Sequence, residues 1–228
     1  MSRSPLTPSG PSGRLLGNLP FLFMENFKLI GFFLPSMVCL LAFLLLGGLV
    51  FLLGALLLLL PAAPALAAMY DICYQILLDI PDGERSRFME SYRLNARQSI
   101  ASLALTLPLM ILPLFVLVVP NQLPTPVLLS VLVGCLLAQT FSVLAFSQIV
   151  LTDKPLKEIW KTALMIIPLT GWRGIAAAIL QLVFLAAMVQ YLPIMFFVAA
   201  LGGSALLMGF SCKILWPVME RLLAEEPD

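Results

Sequence analysis

Long apolar runs that could each cross a lipid bilayer dominate this sequence. A membrane-spanning helix needs about 20 predominantly apolar residues, and the longest run, residues 33–60, contains no charged side chain. Six runs approach or exceed that length, and they cover residues 33–60, 63–80, 99–119, 125–150, 172–191 and 193–214. Only 11% of the chain is charged, whereas a soluble domain carries about 25%. The predicted fold is therefore all-α, a polytopic integral membrane bundle of about six transmembrane helices.

The basic residues fall on one side of this six-span arrangement. All 13 Lys and Arg side chains lie before the first span, in or beside alternate connections, or at the end of the last span. The other connections, "PAAPA", "VPNQLPTP" and "QYLP", carry no charge. Because Lys and Arg collect in cytoplasmic loops, the pattern predicts a multi-pass protein with both termini in the cytoplasm.

Composition divides the chain into three parts. Residues 1–13 are rich in Ser, Pro and Gly, which predicts a disordered cytoplasmic leader. Residues 14–222 are predicted to form a single six-span membrane domain, and residues 223–228 a short acidic cytoplasmic tail. The aromatic and charged residues just before the first span predict an interfacial amphipathic helix.

Two cytoplasmic amphipathic helices are predicted between the spans, at "DGERSRFMESYRLNARQSI" and "TDKPLKEIWKTALMIIPLTGW", where charges alternate with aromatic residues. Such helices anchor at the membrane surface through Arg, Lys, Trp and Tyr, or they dock a partner. Proline interrupts helical hydrogen bonding. We therefore expect a break near Pro35 in the first span, and kinks at Pro108 and Pro113 in the third.

Several function classes lack their usual residues in this chain. There is no histidine, which is the commonest general base and metal ligand. The four cysteines are far apart and form no Cys-x-x-Cys pair, so neither a zinc site nor a disulfide framework is indicated. No Gly-rich phosphate loop or nucleophile elbow occurs, and a net charge of +1 argues against nucleic acid as a partner. We expect no enzyme activity and no cofactor.

Polar side chains nevertheless fall inside the apolar runs. Asp71 and Gln75 lie four residues apart on one helical stripe of the second run, and Asp79 continues that stripe. Gln139 and Gln181 lie in the fourth and fifth runs. An Asp at the centre of a membrane helix costs about 2.5–3.5 kcal/mol, so we expect the stripe to face the bundle interior, with Asp71 near mid-depth. These side chains either line a site for a cation, proton or sugar hydroxyl, or form hydrogen bonds between helices.

The stretch "PAAPALAAMYDICYQILLDIPDGERSRFMESYRLNARQSI" resembles the signature region of the YesL-like family of membrane proteins, domain of unknown function 624. The positions that carry the resemblance are Pro64, Ala68, Met69, Tyr70, Phe88, Tyr92 and Asn95. The later stretch "DKPLKEIWKTALMIIPL" is similar to the family's second cytoplasmic helix, so the resemblance covers about residues 20–222. It implies a bacterial cytoplasmic (inner) membrane protein, often associated with carbohydrate-uptake systems of the ABC type, and it implies no catalytic residues.

Two functional hypotheses and one structural hypothesis remain open. In the first, the protein is an accessory or partner-binding component of carbohydrate or solute uptake. Its docking surface would be formed by Phe88, Tyr92, Asn95 and Trp160, and its partner would be an ABC-type sugar permease, an ATPase or a second copy of this chain. In the second, it is a small transporter or channel, with a path lined by Asp71, Gln75, Gln139 and Gln181. The third is a membrane scaffold that transports nothing.

Overall fold

Ten α-helices and one π-helical segment make up the part of the chain that the computed structural model describes, residues 10–81, 83–118 and 124–224. In chain order these are α1 (Pro11–Gly17), α2 (Leu19–Leu46), α3 (Leu49–Leu59), α4 (Ala63–Leu77), α5 (Phe88–Val118), α6 (Thr125–Leu151), α7 (Leu156–Thr170), α8 (Trp172–Gln190), α9 (Leu192–Val198), the π segment (Ala199–Gly203) and α10 (Ser204–Ala224). No strand occurs within these ranges, and the predicted all-α class is confirmed. Residues 1–9 of the predicted leader and 225–228 of the predicted tail lie outside them.

Several helical stretches are long and apolar enough to cross a membrane. Four such stretches occur among the described residues: Leu19–Phe43, Val50–Leu77, Thr125–Leu151 and Ile194–Ala224. Helices α7 and α8 are bent by 105° relative to each other and would be a fifth stretch if they formed one broken span. The protein is therefore embedded in a membrane through several apolar helices.

The first predicted span, residues 33–60, is wrong in its boundaries. It contains the end of α2, a turn at Gly47 and Gly48, and α3. The two glycines have φ angles of 69° and 91°, which residues with a Cβ rarely adopt, so the chain reverses there. Ser36 of α2 donates a hydrogen bond to the carbonyl oxygen of Ala55 in α3 at 2.7 Å, which shows that the two helices fold back on each other.

The predicted interfacial helix before the first span is also wrong, because residues 19–46 form the single helix α2. Glu25 and Lys28 therefore lie inside a candidate span, Leu19–Phe43. Their side chains form an ion pair at 2.8 Å, which offsets part of the cost of placing charges in an apolar helix. The helix also continues through Pro35, where a break was predicted.

The second predicted span, residues 63–80, begins too late. The turn at residues 47–48 precedes α3, so α3 and α4 together form the candidate span Val50–Leu77. Asp71 accordingly lies about 9 Å, at 1.5 Å per residue, from the C-terminal end of that stretch. The predicted boundaries placed Asp71 near the middle of its span, and the structure places it away from the middle of the longer stretch.

The two predicted cytoplasmic helices have different outcomes. The first is not a separate helix, because α5 begins at Phe88 and continues to Val118 through Pro108 and Pro113. The second corresponds to α7, which Gly171, with a φ angle of 53°, separates from α8. The predicted fourth and fifth spans agree closely with α6 and α8, and the predicted turn before Pro193 lies at Tyr191.

Helix α4 lies at the centre of the bundle and positions the polar residues described below. It contacts α2, α5, α6 and α10, and Ala63, Ala65, Ala67 and Ala68 are fully buried. Small side chains let neighbouring helices approach closely, which is the main source of helix association in lipid. The Tyr74 hydroxyl donates a hydrogen bond to Ser147 of α6 at 2.8 Å, and this fixes α4 against α6.

Candidate functional site

Four polar side chains from four helices meet in the interior of the bundle. Gln139 of α6 donates from Nε2 to Oε1 of Gln181 in α8 at 2.6 Å. Gln181 in turn donates from its own Nε2 to the Tyr70 hydroxyl of α4 at 2.5 Å and to Ser211 of α10 at 3.2 Å. We call Tyr70, Gln139, Gln181 and Ser211 the amide cluster. Two of the four predicted site residues therefore belong to one network.

Small residues on α8 bring Gln181 to this position. Ala177 and Ala178 are fully buried, and Ala177 shares a helical face with Gln181 because the two are four residues apart. At Gly174, on the preceding turn, an added Cβ would lie 3.2 Å from the methyl group of Thr140 in α6. Helix α8 therefore packs closely against α6, and the two glutamine side chains come within hydrogen-bonding distance.

A cavity of about 270 Å³ lies beside the amide cluster. Tyr70, Gln139 and Gln181 form part of its wall, and most of the remaining lining is apolar and comes from α2, α3, α4, α5, α6, α8 and α10. The Oε1 atom of Gln139 has no hydrogen-bond partner among the described residues, although the side chain is only 7% exposed. The cluster thus leaves one buried acceptor open.

Asp71 and Gln75 belong to a second, separate group. Ser86, in the connection after α4, donates from Oγ to Oδ2 of Asp71 at 2.9 Å. The Gln75 side chain donates from Nε2 to Ser86 Oγ and accepts from the Ser86 backbone N–H at 3.0 Å. Asp71 and Gln75 therefore hold the connecting loop against α4, and neither lines the cavity beside the amide cluster.

Asp79 does not lie on the helical stripe that the sequence predicted for it. Its side chain is 70% exposed and forms an ion pair with Arg14 of α1 at 3.5 Å. Arg14 also donates to the carbonyl oxygen of Leu77, at the end of α4, at 2.6 Å. The residue has a φ angle of 62°, which places it in the turn that ends α4. Asp79 therefore takes part in a contact between α1 and the end of α4.

We expect the Ser86→Ala substitution to loosen the loop between α4 and α5. The loss of Oγ removes the hydrogen bonds to Asp71 and Gln75 and costs about 1.4 kcal/mol, within the usual range for the loss of intramolecular hydrogen bonds. Tryptic cleavage after the exposed Arg87 should then be about tenfold faster, as measured by mass spectrometry of the purified protein in detergent. Ser130→Ala is the control, since the hydrogen bond that Ser130 makes among the described residues lies within its own helix. Equal cleavage rates in the two variants would contradict this role of Ser86.

The predicted docking residues make contacts within the chain. Phe88 is 1% exposed, and its ring stacks on Phe32 of α2 with a centroid separation of 6.3 Å. Tyr92 stacks on the same ring at 4.5 Å and donates to the carbonyl oxygen of Pro61 at 3.0 Å. Phe88 is therefore a core residue, and its side chain offers no surface to a partner.

The other two predicted docking residues also bond internally. Asn95 donates to Ser91 Oγ at 3.2 Å, one turn earlier in α5. Trp160 of α7 donates from its indole N–H to Ser102 Oγ of α5 at 3.0 Å. Trp160 thus fastens α7 to α5.

Sequence reasoning missed Asn26, a fully buried residue of α2. Its Nδ2 donates to the carbonyl oxygens of Ala199 and Ala200, at 2.8 and 3.2 Å. Its Oδ1 accepts from Ser204 Oγ and from the backbone N–H of Ala205, the latter at 3.1 Å. The backbone groups of the π segment and of the first turn of α10 thus find partners on α2. Two sequence features could have indicated this contact: a lone Asn before the long apolar run, and the pair "GG" inside another run.

The side chains offer no evident metal site in the part of the chain that the structure describes. No group of three or more His, Cys, Asp or Glu residues is arranged to hold a metal ion there. All four cysteines are free thiols, and three of them are buried.

Comparisons with protein-family models, curated proteins and solved structures found no match to this chain.

Proposed function

We propose that this is a bacterial inner-membrane protein with six spans and both termini in the cytoplasm. The four candidate spans, together with α5 and α8, would make six. Residues 99–118 of α5 form an apolar run without charges, and α8 has 19 residues. The one-sided distribution of Lys and Arg supports this orientation, and the resemblance to the YesL-like family supports the bacterial inner membrane.

In this arrangement α7 lies along the cytoplasmic surface of the membrane. Its bend of 105° relative to α8 fits a helix that lies in the membrane plane before a spanning helix. One face of α7, including Ile159 and Ala163, is buried against the bundle. Lys157 and Lys161 are exposed, as are the apolar side chains of Leu164, Met165 and Leu169. Exposed cations next to exposed apolar residues are typical of interfacial helices.

We infer that the protein is an accessory, partner-binding component of solute uptake and does not itself form the solute path. One observation carries this proposal: the residues predicted to line a path form hydrogen bonds with other residues of the same chain. Asp71 and Gln75 bond Ser86, and the amide cluster bonds itself. A sugar carries several hydroxyl groups, and each needs a partner when it leaves water. Carbohydrate as the solute class rests on the family resemblance alone.

The proposed docking surface consists of exposed basic residues on the cytoplasmic side. These residues take the place of Phe88, the docking residue predicted from the sequence, because Phe88 is buried. Arg93 and Arg97 lie one helical turn apart near the start of α5, and both are exposed. Lys157 and Lys161 repeat this spacing on α7 and are exposed as well. A partner with acidic residues at its cytoplasmic surface, such as an ABC-type permease or its ATPase, fits this surface.

Purification from the native membrane tests this proposal. Wild-type protein extracted in mild detergent should co-purify with a permease or ATPase in a fixed ratio. The double charge reversal Arg93→Glu and Arg97→Glu should lower the recovered partner about tenfold or more, because like charges would then face each other. Arg221→Glu, an exposed position on α10, is the control. Recovery of a lone homo-oligomer, or of the same amount of partner with the double variant, would contradict the proposal.

A further inference from the structure

A groove of about 100 Å³ lies where α1 and the first turn of α2 pack against α10. Leu15 of α1 contacts α10 at Gly209, since a Cβ added at Gly209 would lie 3.6 Å from a methyl group of Leu15. Most of the lining is leucine. Two of the lining side chains, Leu16 and Phe210, are 59% and 48% exposed. The groove is therefore apolar and accessible from the surface of the protein.

One cation lines this groove. Among the described residues that line it, only Lys213 of α10 is charged, and its side chain is half-buried. Within the part of the chain that the structure describes, Lys213 forms no ion pair and no hydrogen bond. Arg14, the cation of α1, is by contrast paired with Asp79 and bonded to the Leu77 carbonyl oxygen. The groove thus offers a positive charge that the described chain does not neutralise.

Lys213 lies at the depth of lipid headgroups. It is the nineteenth residue after Ile194, the first residue of the candidate span Ile194–Ala224, which places it about 28 Å further along at 1.5 Å per residue. The hydrocarbon core of a bilayer is about 30 Å thick. When Ile194 lies at one boundary of that core, Lys213 lies at the other. Phe210 and Leu206, one and two turns earlier on α10, then lie at the depth of the acyl chains.

We propose that this groove binds an anionic phospholipid, with an acyl chain along its leucine side chains and the phosphate group on the Lys213 ammonium group. Basic pockets between membrane helices bind anionic headgroups in this way. A zwitterionic phospholipid carries its own cation close to the phosphate, so it gains less from the lysine. The proposal requires only that α10 spans the membrane, and it can stand or fail independently of the cytoplasmic docking surface.

Photolabelling with phosphatidylglycerol that carries a diazirine on its acyl chain tests the site. The full-length protein is placed in phosphatidylcholine nanodiscs that contain this probe, and the labelled residues are located by mass spectrometry. We expect saturable labelling of residues 12–22 and 206–213. Unlabelled phosphatidylglycerol should compete about fivefold better than phosphatidylethanolamine, because one lysine near the membrane surface favours an anionic lipid by about that factor.

Substitutions separate the charge from the groove. Lys213→Gln removes the charge and should abolish the preference for phosphatidylglycerol, whereas Lys213→Arg should keep it. Arg221→Gln is the matched control, because Arg221 is an exposed cation of the same helix that does not line the groove. Leu16→Trp places a bulky ring at an exposed position of the lining and should lower labelling itself.

Three outcomes would overturn the proposal. The first is labelling spread evenly over the lipid-facing surface, or equal competition by the two lipids. The second is a preference for phosphatidylglycerol that persists in Lys213→Gln. The third is labelling of the groove that appears only after residues 1–9 or 225–228 are deleted, since this chain's own ends would then occupy the groove.

Discussion

Replacing Asn26 with leucine is expected to lower the free energy of unfolding by about 3 kcal/mol. The substitution would leave the carbonyl oxygens of Ala199 and Ala200 and the N–H of Ala205 without the partners that they now have on α2. Each unsatisfied buried group costs about 1–3 kcal/mol in proteins generally, while single hydrogen bonds between membrane helices average about 0.6 kcal/mol. Three groups at about 1 kcal/mol each give the expected value.

The thermal midpoint of the purified protein in detergent measures this effect. At about 2–4 °C per kcal/mol for a chain of this size, Asn26→Leu should lower the midpoint by about 6–12 °C. Asn95→Leu is the control, since the Asn95 amide donates only to Ser91 in its own helix. It should shift the midpoint by less than about 3 °C. Similar small shifts in both variants would show that α2 does not hold the π segment.

Replacing Gly202 with alanine should be at least as damaging. Gly202 has a φ angle of 105°, a conformation that costs a residue with a Cβ about 1–3 kcal/mol. The new methyl group would also overlap the ring of Phe23 in α2, and overpacking a core costs about 1–3 kcal/mol. We expect a total loss of about 4 kcal/mol and a thermal midpoint lower by about 8–16 °C.

A second substitution separates the two causes. The double variant Gly202→Ala with Phe23→Ala removes the overlap and keeps the backbone strain, so it should destabilise the protein less than the sum of the two single variants. Gly31→Ala is the control, because Gly31 lies inside α2 and, beyond the adjacent backbone of that helix, no described atom lies within 4 Å of its added methyl group. It should stabilise the helix by about 0.5–1 kcal/mol. A Gly202→Ala midpoint equal to that of the wild type would contradict the break at the π segment.

The membrane class follows from hydropathy because twenty apolar residues have few alternatives to a membrane-spanning helix. Helix α6 was predicted almost to the residue, since polar connections flank it on both sides. The turn at Gly47 and Gly48 was missed because residues 33–60 carry no charge and only one polar side chain, Ser36. Hydropathy predicts which segments lie within the membrane, but it does not predict a turn that is itself made of apolar residues. This one error displaced the first two spans and placed Asp71 near the middle of the second span, whereas Asp71 lies near the C-terminal end of the stretch Val50–Leu77.

The candidate site was predictable only in part, for a related reason. Polar residues inside apolar runs identified Gln139 and Gln181, which do meet. Spacing along a helix shows which residues share a face, but it does not reveal which other segment that face contacts. The pairing of Asp71 and Gln75 with Ser86 depends on how the connection after α4 folds back. The role of Asn26 depends on the unusual backbone of residues 199–203, which no local pattern specifies.

Uptake by reconstituted protein tests the central claim, that the buried polar residues hold the helices together and do not line a path. The purified chain alone is placed in liposomes, and entry of radiolabelled monosaccharides is followed over time. We predict the same rate as in liposomes without protein, for the wild type and for Gln181→Leu alike. Saturable uptake by the wild type that Gln181→Leu abolishes would contradict the claim and show that the amide cluster lines a solute path.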